Sequence, residues 1–228
     1  MTHEADDVVH LRIAELAREL HADTADDELI AKTIVEGALA EIPGAQYAGL
    51  TVATDRRSIE SLGSTHEYVE IHDRIQAETG EGPCLSAALH ERIVRADDLD
   101  ADNRWPKYRR RAVAEIPIRS VLSFQLFANH NRIGALNVFA DEPGIFDLHA
   151  EDIGVVYATH AALAWNAIQK DQQFHSALAN RDVIGQAKGM LMERFGVDAL
   201  AAFDLLKRLS QESNTKLSEV ARQVVEKR

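Results

Sequence analysis

The chain has 228 residues, room for one sizeable domain and a smaller one. Hydrophobic residues at 46% and charged residues at 27% exclude a disordered or fibrous chain, and no apolar run approaches the roughly 18 residues of a membrane span. The net charge of −12 is uneven: from Phe174 onward nine basic residues face seven acidic ones, a net of +2 that leaves −14 on the rest, and an acidic body repels phosphate backbones, so any nucleic-acid binding is confined to the C-terminal segment.

In chain order, Val9, Ile13, Leu16 and Leu20 line one face of an amphipathic helix. After the polar break at Asp23-Thr24 a second helix runs to about Glu41, with Ile30, Ile34 and Ala38 on one side, Thr24 or Asp26 as its N-cap, and Pro43-Gly44 as its stop. Tyr47 to Ala53 and Ser58 to Leu62 form a hairpin about the turn Thr54 to Arg57. A helix from Glu67 to about Ala77 stops at Gly80, and Gly80-Glu81-Gly82-Pro83-Cys84 is a loop opening a short helix with Pro83 in its first turn. Ile93 to Ala96 is a short strand, and Trp105-Pro106 to Glu115 a basic, exposed helix. Ser120 to Phe127 and Ile133 to Phe139 make the clearest hairpin, about the turn Ala128 to Arg132. Strands interrupted by helices and finished by a hairpin predict an α+β domain: a mostly antiparallel sheet with helices on its faces.

From Leu148 to Arg194 there is no proline, which predicts one long helix or two nearly collinear ones. Ile153, Val156, Leu163, Ala167, Phe174 and Ala177 fall on alternating three and four spacings, a seam suited to self-association, although His160 and Lys170 interrupt it. Phe195-Gly196 is a helix stop and Asp198 caps the next helix, which carries Ala202, Phe203, Leu206 and Leu209 on its apolar face. The polar turn Ser213 to Lys216 leads to a last helix with Leu217, Val220, Ala221 and Val224 apolar. Three such stripes pack into a small core that also takes Ile184, Ala187, Leu191 and Met192.

The run from Asn180 to Arg194, with Ile184, Ala187-Lys188-Gly189 and Leu191-Met192, followed in order by Ala202-Phe203, Leu206, Ser210, Asn214, Leu217 and Ala221, resembles the ANTAR domain of transcription antitermination regulators. Before it, Gly80 to Leu85, Arg104-Trp105-Pro106, Arg119 to Ser123, Gly134 to Asn137, Pro143-Gly144 and Phe146-Asp147 resemble the GAF domains that actinobacteria fuse to ANTAR domains. The resemblance implies a GAF-like sensory domain over 1–150 including its N-terminal helix, a connecting and dimerising helix over 151–173, and an ANTAR domain over 174–228. It further implies a homodimer that receives a small-molecule or protein signal, binds paired hairpins in nascent RNA and prevents transcription termination.

Base-specific RNA recognition targets unpaired loop nucleotides, because the A-form major groove is too narrow for side chains. Arg181, Lys188, Arg194, Lys207, Arg208 and Lys216 are the expected phosphate contacts, and Ser213, Asn214 and Thr215 the expected base readers. Two alternatives stand beside RNA binding: a DNA-binding factor whose last two helices act as a helix-turn-helix, and a GAF sensor whose C-terminal helices only dimerise or dock a protein.

Catalysis finds no residues to stand on: there is no Gly-x-Ser-x-Gly elbow, and Gly80-x-Gly82 lacks the remaining glycines and the Lys-Ser or Lys-Thr of a phosphate loop. No cofactor is expected, the GAF ligand residues stay unassigned, and the ten histidines include no His-x-x-x-His pair, so no metal is expected either. The single cysteine, Cys84, excludes an intrachain disulfide and reads as a buried structural thiol. Met1 to Asp7 carries no basic stretch leading into an apolar one, and the expectation is a cytoplasmic protein away from membranes.

Overall fold

The computed structural model describes residues 27–53, 59–89, 91–128 and 133–226. The helix expected around Val9 to Leu20, the caps Thr24 and Asp26, the turn at 54–57 and most of the turn at 128–132 lie outside the described residues. Contacts divide the chain into two units, Met1–Ile168 and Gln169–Arg228.

The first unit is built on helix α1 (Asp27–Glu41), strands β1 (Tyr47–Ala53) and β2 (Ile59–Ser64), helices α2 (Glu67–Thr79) and α3 (Pro83–Leu89), strand β3 (Ile93–Ala96), helix α4 (Pro106–Glu115), and strands β4 (Ser120–Ala128) and β5 (Ile133–Ala140). The five strands form one antiparallel sheet in the order β2-β1-β5-β4-β3. Central β5 pairs Leu136 with Leu50 of β1 on one side and with Phe124 of β4 on the other. This is the α+β architecture that the alternation of patterns predicts.

Side chains alternate across a strand, and here both faces are buried. Leu50, Val52, Leu122, Phe124, Leu136 and Val138 pack with Ile30, Ile34 and Ala38 of α1 and with Tyr157, Ala161 and Trp165. On the other face, Val121, Ala135 and Phe139 pack with Val69 and Ile75 of α2, Cys84 and Ala87 of α3, and Tyr108 and Ala112 of α4. The sheet is therefore the middle of three layers. Tyr157 ties the first face together, its buried hydroxyl donating to the Ile34 carbonyl at 2.8 Å.

Helix α4 differs from its expectation. Its arginines are exposed or half-exposed, yet Tyr108 and Ala112 are wholly buried, because two apolar residues four apart make a narrow stripe even in a basic helix. Pro106 starts this helix without needing a backbone donor.

Helix α5 (Leu148–Phe195) is a single helix that begins in the first unit and continues into the second. With α6 (Ala199–Ser213) and α7 (Leu217–Glu226) its final turns build the second core, from Ala187, Leu191, Ala202, Leu206, Val220 and Ala221. Asp198 caps α6 as expected, accepting from the backbone of Leu200 and Ala201.

Phe203 and Leu209 do not join that core and are 37% and 45% exposed. The buried stripe of α6 runs through Ala202, Leu205 and Leu206. Phe203 is rotated off it by about 100°, and Leu209, on the stripe's side but towards the C-terminal end of α6, is not part of that small cluster. Among the described residues, no helix is long and apolar enough to cross a membrane.

Candidate nucleic-acid interface

The second unit presents the positive groups singled out in the sequence. Arg181 and Lys188 stand seven residues apart on α5, two turns along the same side of the helix. Arg194 lies in its last turn, Lys207 and Arg208 are neighbours on α6, and Lys216 closes the turn before α7. All are exposed except Lys188, which is half-buried.

Their state of pairing separates them from the cations of the first unit. There Arg74 meets Glu115, Arg95 meets Asp97 and Glu151, Arg104 meets Asp102, Lys107 meets Glu81, and Arg111 meets Glu78 and Glu115. Arg119 grips Asp98 through two bonds of 2.8 Å, which hold the Asp98 carboxyl below the usual carboxylate range. In the second unit, among the described lysines and arginines, only Arg222 has a carboxylate partner, Glu219 at 2.7 Å, and His175 stands 3.5 Å from Asp171. The six expected phosphate contacts are left with their charges unspent on the protein.

The turn residues are partly committed to shaping the chain. Asn214 takes the left-handed conformation at φ 50° and ends α6, its N–H donating to Ser210 and Gln211 carbonyls. The Ser213 hydroxyl donates back to the Leu209 carbonyl at 2.6 Å, and that of Thr215 to the Ser213 carbonyl at 3.1 Å. Ser210 fastens the far side by donating to the Thr215 carbonyl at 2.6 Å. The turn is thus held by internal hydrogen bonds, with Ser213 and Asn214 exposed and Thr215 half-buried, and leaves the Asn214 amide and the hydroxyl lone pairs of Ser213 and Thr215 as polar groups for a partner.

A second polar locus lies in the first unit and follows no sequence motif. Thr51, Ser123 and Asn137 stand on the inner face of β1, β4 and β5 and are buried, as are His72, Asp73 and Gln76 of α2. Asp73 accepts from Thr51 Oγ1 at 3.0 Å, from Gln76 Nε2 at 3.1 Å and from the Ser61 hydroxyl. Asn137 Nδ2 donates to Thr51 Oγ1 at 2.8 Å, which directs the Thr51 proton to Asp73.

The turn after α2 brings Cys84 to this locus. Gly80, at φ 67°, caps α2, and Gly82 sits at φ 149° where a Cβ would collide with the Gln76 side chain. Gln76 Oε1 can therefore accept the backbone N–H of Cys84 at 3.0 Å and of Leu85 at 3.3 Å. The Cys84 thiol lies 3.9 Å from His72 Nδ1 and accepts from Ser123 Oγ at 3.7 Å. Burial pushes its pKa well up, with the Asp73 charge adding to the rise against smaller opposing hydrogen bonds. No spacing rule finds such a set, because Thr51, His72, Asp73, Cys84, Ser123 and Asn137 meet only when the sheet is folded.

Comparisons with known proteins bear on both units. The family model described as GAF domain matches residues 24–166, and that described as ANTAR domain matches residues 172–225. Among solved structures, the GAF domain of a phosphoenolpyruvate-protein phosphotransferase from Coxiella burnetii is 15% identical with a TM-score of 0.53, over 72% of this chain and 96% of that one. The GAF domain of the Acinetobacter phosphoenolpyruvate-protein phosphotransferase is 14% identical with a TM-score of 0.50, over 69% of this chain and 92% of that one. At such identity the likeness carries the fold alone. No curated protein matches the chain.

Proposed function

Because the chain belongs to the GAF domain family and carries an ANTAR domain behind its GAF domain, we propose that it is a signal-responsive regulator that binds tandem hairpins in nascent RNA and promotes transcription antitermination. ANTAR domains are RNA-binding antitermination modules, GAF domains are signal sensors, and both are regulatory rather than catalytic domains.

One observation supports the finer reading most. In a chain of net charge −12, the first unit's cations are largely held by its own carboxylates, while Arg181, Lys188, Arg194, Lys207, Arg208 and Lys216 have no carboxylate partner among the described residues. Unpaired cations are the groups that release counterions from a phosphate backbone without first breaking internal bonds. Ser213, Asn214 and Thr215, on their hydrogen-bonded turn, face splayed loop bases in this reading.

Residues 1–150 act as the sensor, 151–173 as the connector and 174–228 as the RNA-binding part. A signal shifts the output only by binding one state better than the other. Leu163, Phe174 and Leu178 are large apolar side chains exposed along α5, at spacings that a second copy of the same helix covers. Of the expected seam, Leu163 and Phe174 are thus exposed, while Ile153 and Val156 pack against the sheet core.

Gel-shift titration tests this directly with tandem RNA hairpins, matched duplex DNA and no nucleic acid. A shift with the hairpins at concentrations where the duplex stays free is expected. A preference for the duplex replaces the reading with helix-turn-helix DNA binding, and indifference to both leaves the C-terminal helices as a dimerising or docking element. Light scattering is expected to give twice the mass of one chain; a concentration-independent monomer, with and without RNA, removes the dimeric connector.

A further inference from the structure

Inside the first unit, His72, Asp73 and Cys84 are all buried, and one ligand atom from each lies within 4.8 Å of the others. Hydrogen bonding fixes their chemical state. Gln76 Oε1 is committed to the two backbone donors of α3, so its NH2 faces Asp73 Oδ1 at 3.1 Å and His72 Nδ1 at 3.1 Å. An amide NH2 only donates, so His72 Nδ1 is the acceptor and the ring hydrogen sits on Nε2.

His72 Nδ1 and Asp73 Oδ1, 3.7 Å apart, face each other with lone pairs and no hydrogen between them. Among the described residues, Asp73, whose side chain is 5% exposed, has neither lysine nor arginine paired with it, only the hydroxyls and the amide already named. A buried carboxylate without a counter-charge is costly. His72 Nε2, Tyr108 Oη and Asn137 Oδ1, all fully buried, also find no hydrogen-bond partner among the described residues. The locus thus combines a carboxylate with no lysine or arginine partner and several buried polar atoms with no hydrogen-bond partner among the described residues.

We propose that this locus is a metal site taking a divalent transition metal of borderline softness, zinc above all, through His72 Nδ1, Asp73 Oδ1 and Cys84 Sγ. A nitrogen, an oxygen and a sulfur donor are the set that zinc accepts, and three protein ligands leave a fourth position for a small ligand. With zinc bonds of about 2.0 Å to nitrogen and about 2.3 Å to sulfur, a tetrahedral centre needs its N and S donors about 3.5 Å apart. The observed 3.9 Å between His72 Nδ1 and Cys84 Sγ closes to that with a small side-chain movement. The bonds to Asp73 from Thr51 and Ser61, and from Asn137 to Thr51, form the outer support that orients a ligating carboxylate.

Binding is balanced without redox change. The metal bonds to sulfur, the Cys84 thiol proton leaves to water, and the Gln76 donor loses His72 Nδ1 while keeping Asp73. The metal would tie α2 and α3 together over the sheet. None of this depends on RNA binding, so the two readings fail or stand separately.

The test uses the full chain, refolded without oxygen in the presence of cobalt(II). Cys84 is the only cysteine, so a thiolate-to-cobalt charge-transfer band can arise nowhere else, whereas the ten histidines give no such band. The expected results are that band, its loss on adding zinc(II), and cobalt binding more than about tenfold weaker in Asp73→Asn. Absence of the band in the wild type, or equal affinity in Asp73→Asn, overturns the site. Should Asp73→Asn fail to fold, the melting temperature of the wild type decides: a rise with zinc(II) that Cys84→Ala lacks supports the site, and no rise overturns it.

Discussion

Leu206→Ala is expected to unfold the second unit and with it abolish RNA binding. Leu206 is fully buried among Ala187, Leu191, Ala202, Val220 and Ala221, and truncating a buried leucine costs about 2–5 kcal/mol through lost transfer energy and the cavity left behind. A unit the size of Gln169–Arg228 has a total stability of about 3–9 kcal/mol at ordinary values per residue. The loss is therefore of the same order as the whole. Urea melts followed by circular dichroism should show part of the helix signal lost at low denaturant, the remainder melting as in the wild type. The companion Leu209→Ala, with its side chain 45% exposed, should shift stability by no more than about 0.5 kcal/mol. Equal effects from the two variants would mean that the core of the second unit extends to Leu209.

The second large effect concerns charge. If the six unpaired cations each meet a phosphate, the affinity for a hairpin should fall about 10³-fold between about 50 and 200 mM salt, since each contact contributes about 0.7–0.9 to the slope of log K against log salt. Replacing Arg181, Lys188, Lys207 and Arg208 together by alanine should flatten that slope by about 3 and reduce binding at every salt concentration. Lys188→Ala alone should flatten it by about 1. Because these side chains make no ion pair among the described residues, the helix content should not change; unchanged circular dichroism with an unchanged slope would take them out of the interface. If Lys188→Ala instead loses helicity, the half-buried stem of Lys188 is structural.

Local patterns carried most of the architecture. The strand Tyr47–Ala53, the short strand Ile93–Ala96, the proline-started helix at Pro106 and the Asp198 cap are set by residues within a few positions of each other, so periodicity and capping rules reach them. What those rules missed depends on partners distant in sequence. Phe203 has the same composition cue as Leu206, and only the placement of α5 and α7 decides which of them is covered. Tyr108 and Ala112 read as incidental in a basic helix until the sheet face beneath them is known. The cations of the second unit were visible as residues but not as unpaired ones, because pairing is a property of the fold. The buried polar locus was the least legible: Thr51, His72, Asp73, Cys84, Ser123 and Asn137 share no motif, and alternation along three strands hides polar residues among apolar neighbours.

The depth of Cys84 has a practical corollary. Its thiol is wholly enclosed between α2, α3 and the sheet and resists ionisation, so an alkylating reagent reaches it only when that layer comes apart. Modification kinetics at this lone sulfur thus act as a built-in clock for opening of the sensory half, without any label having to be introduced.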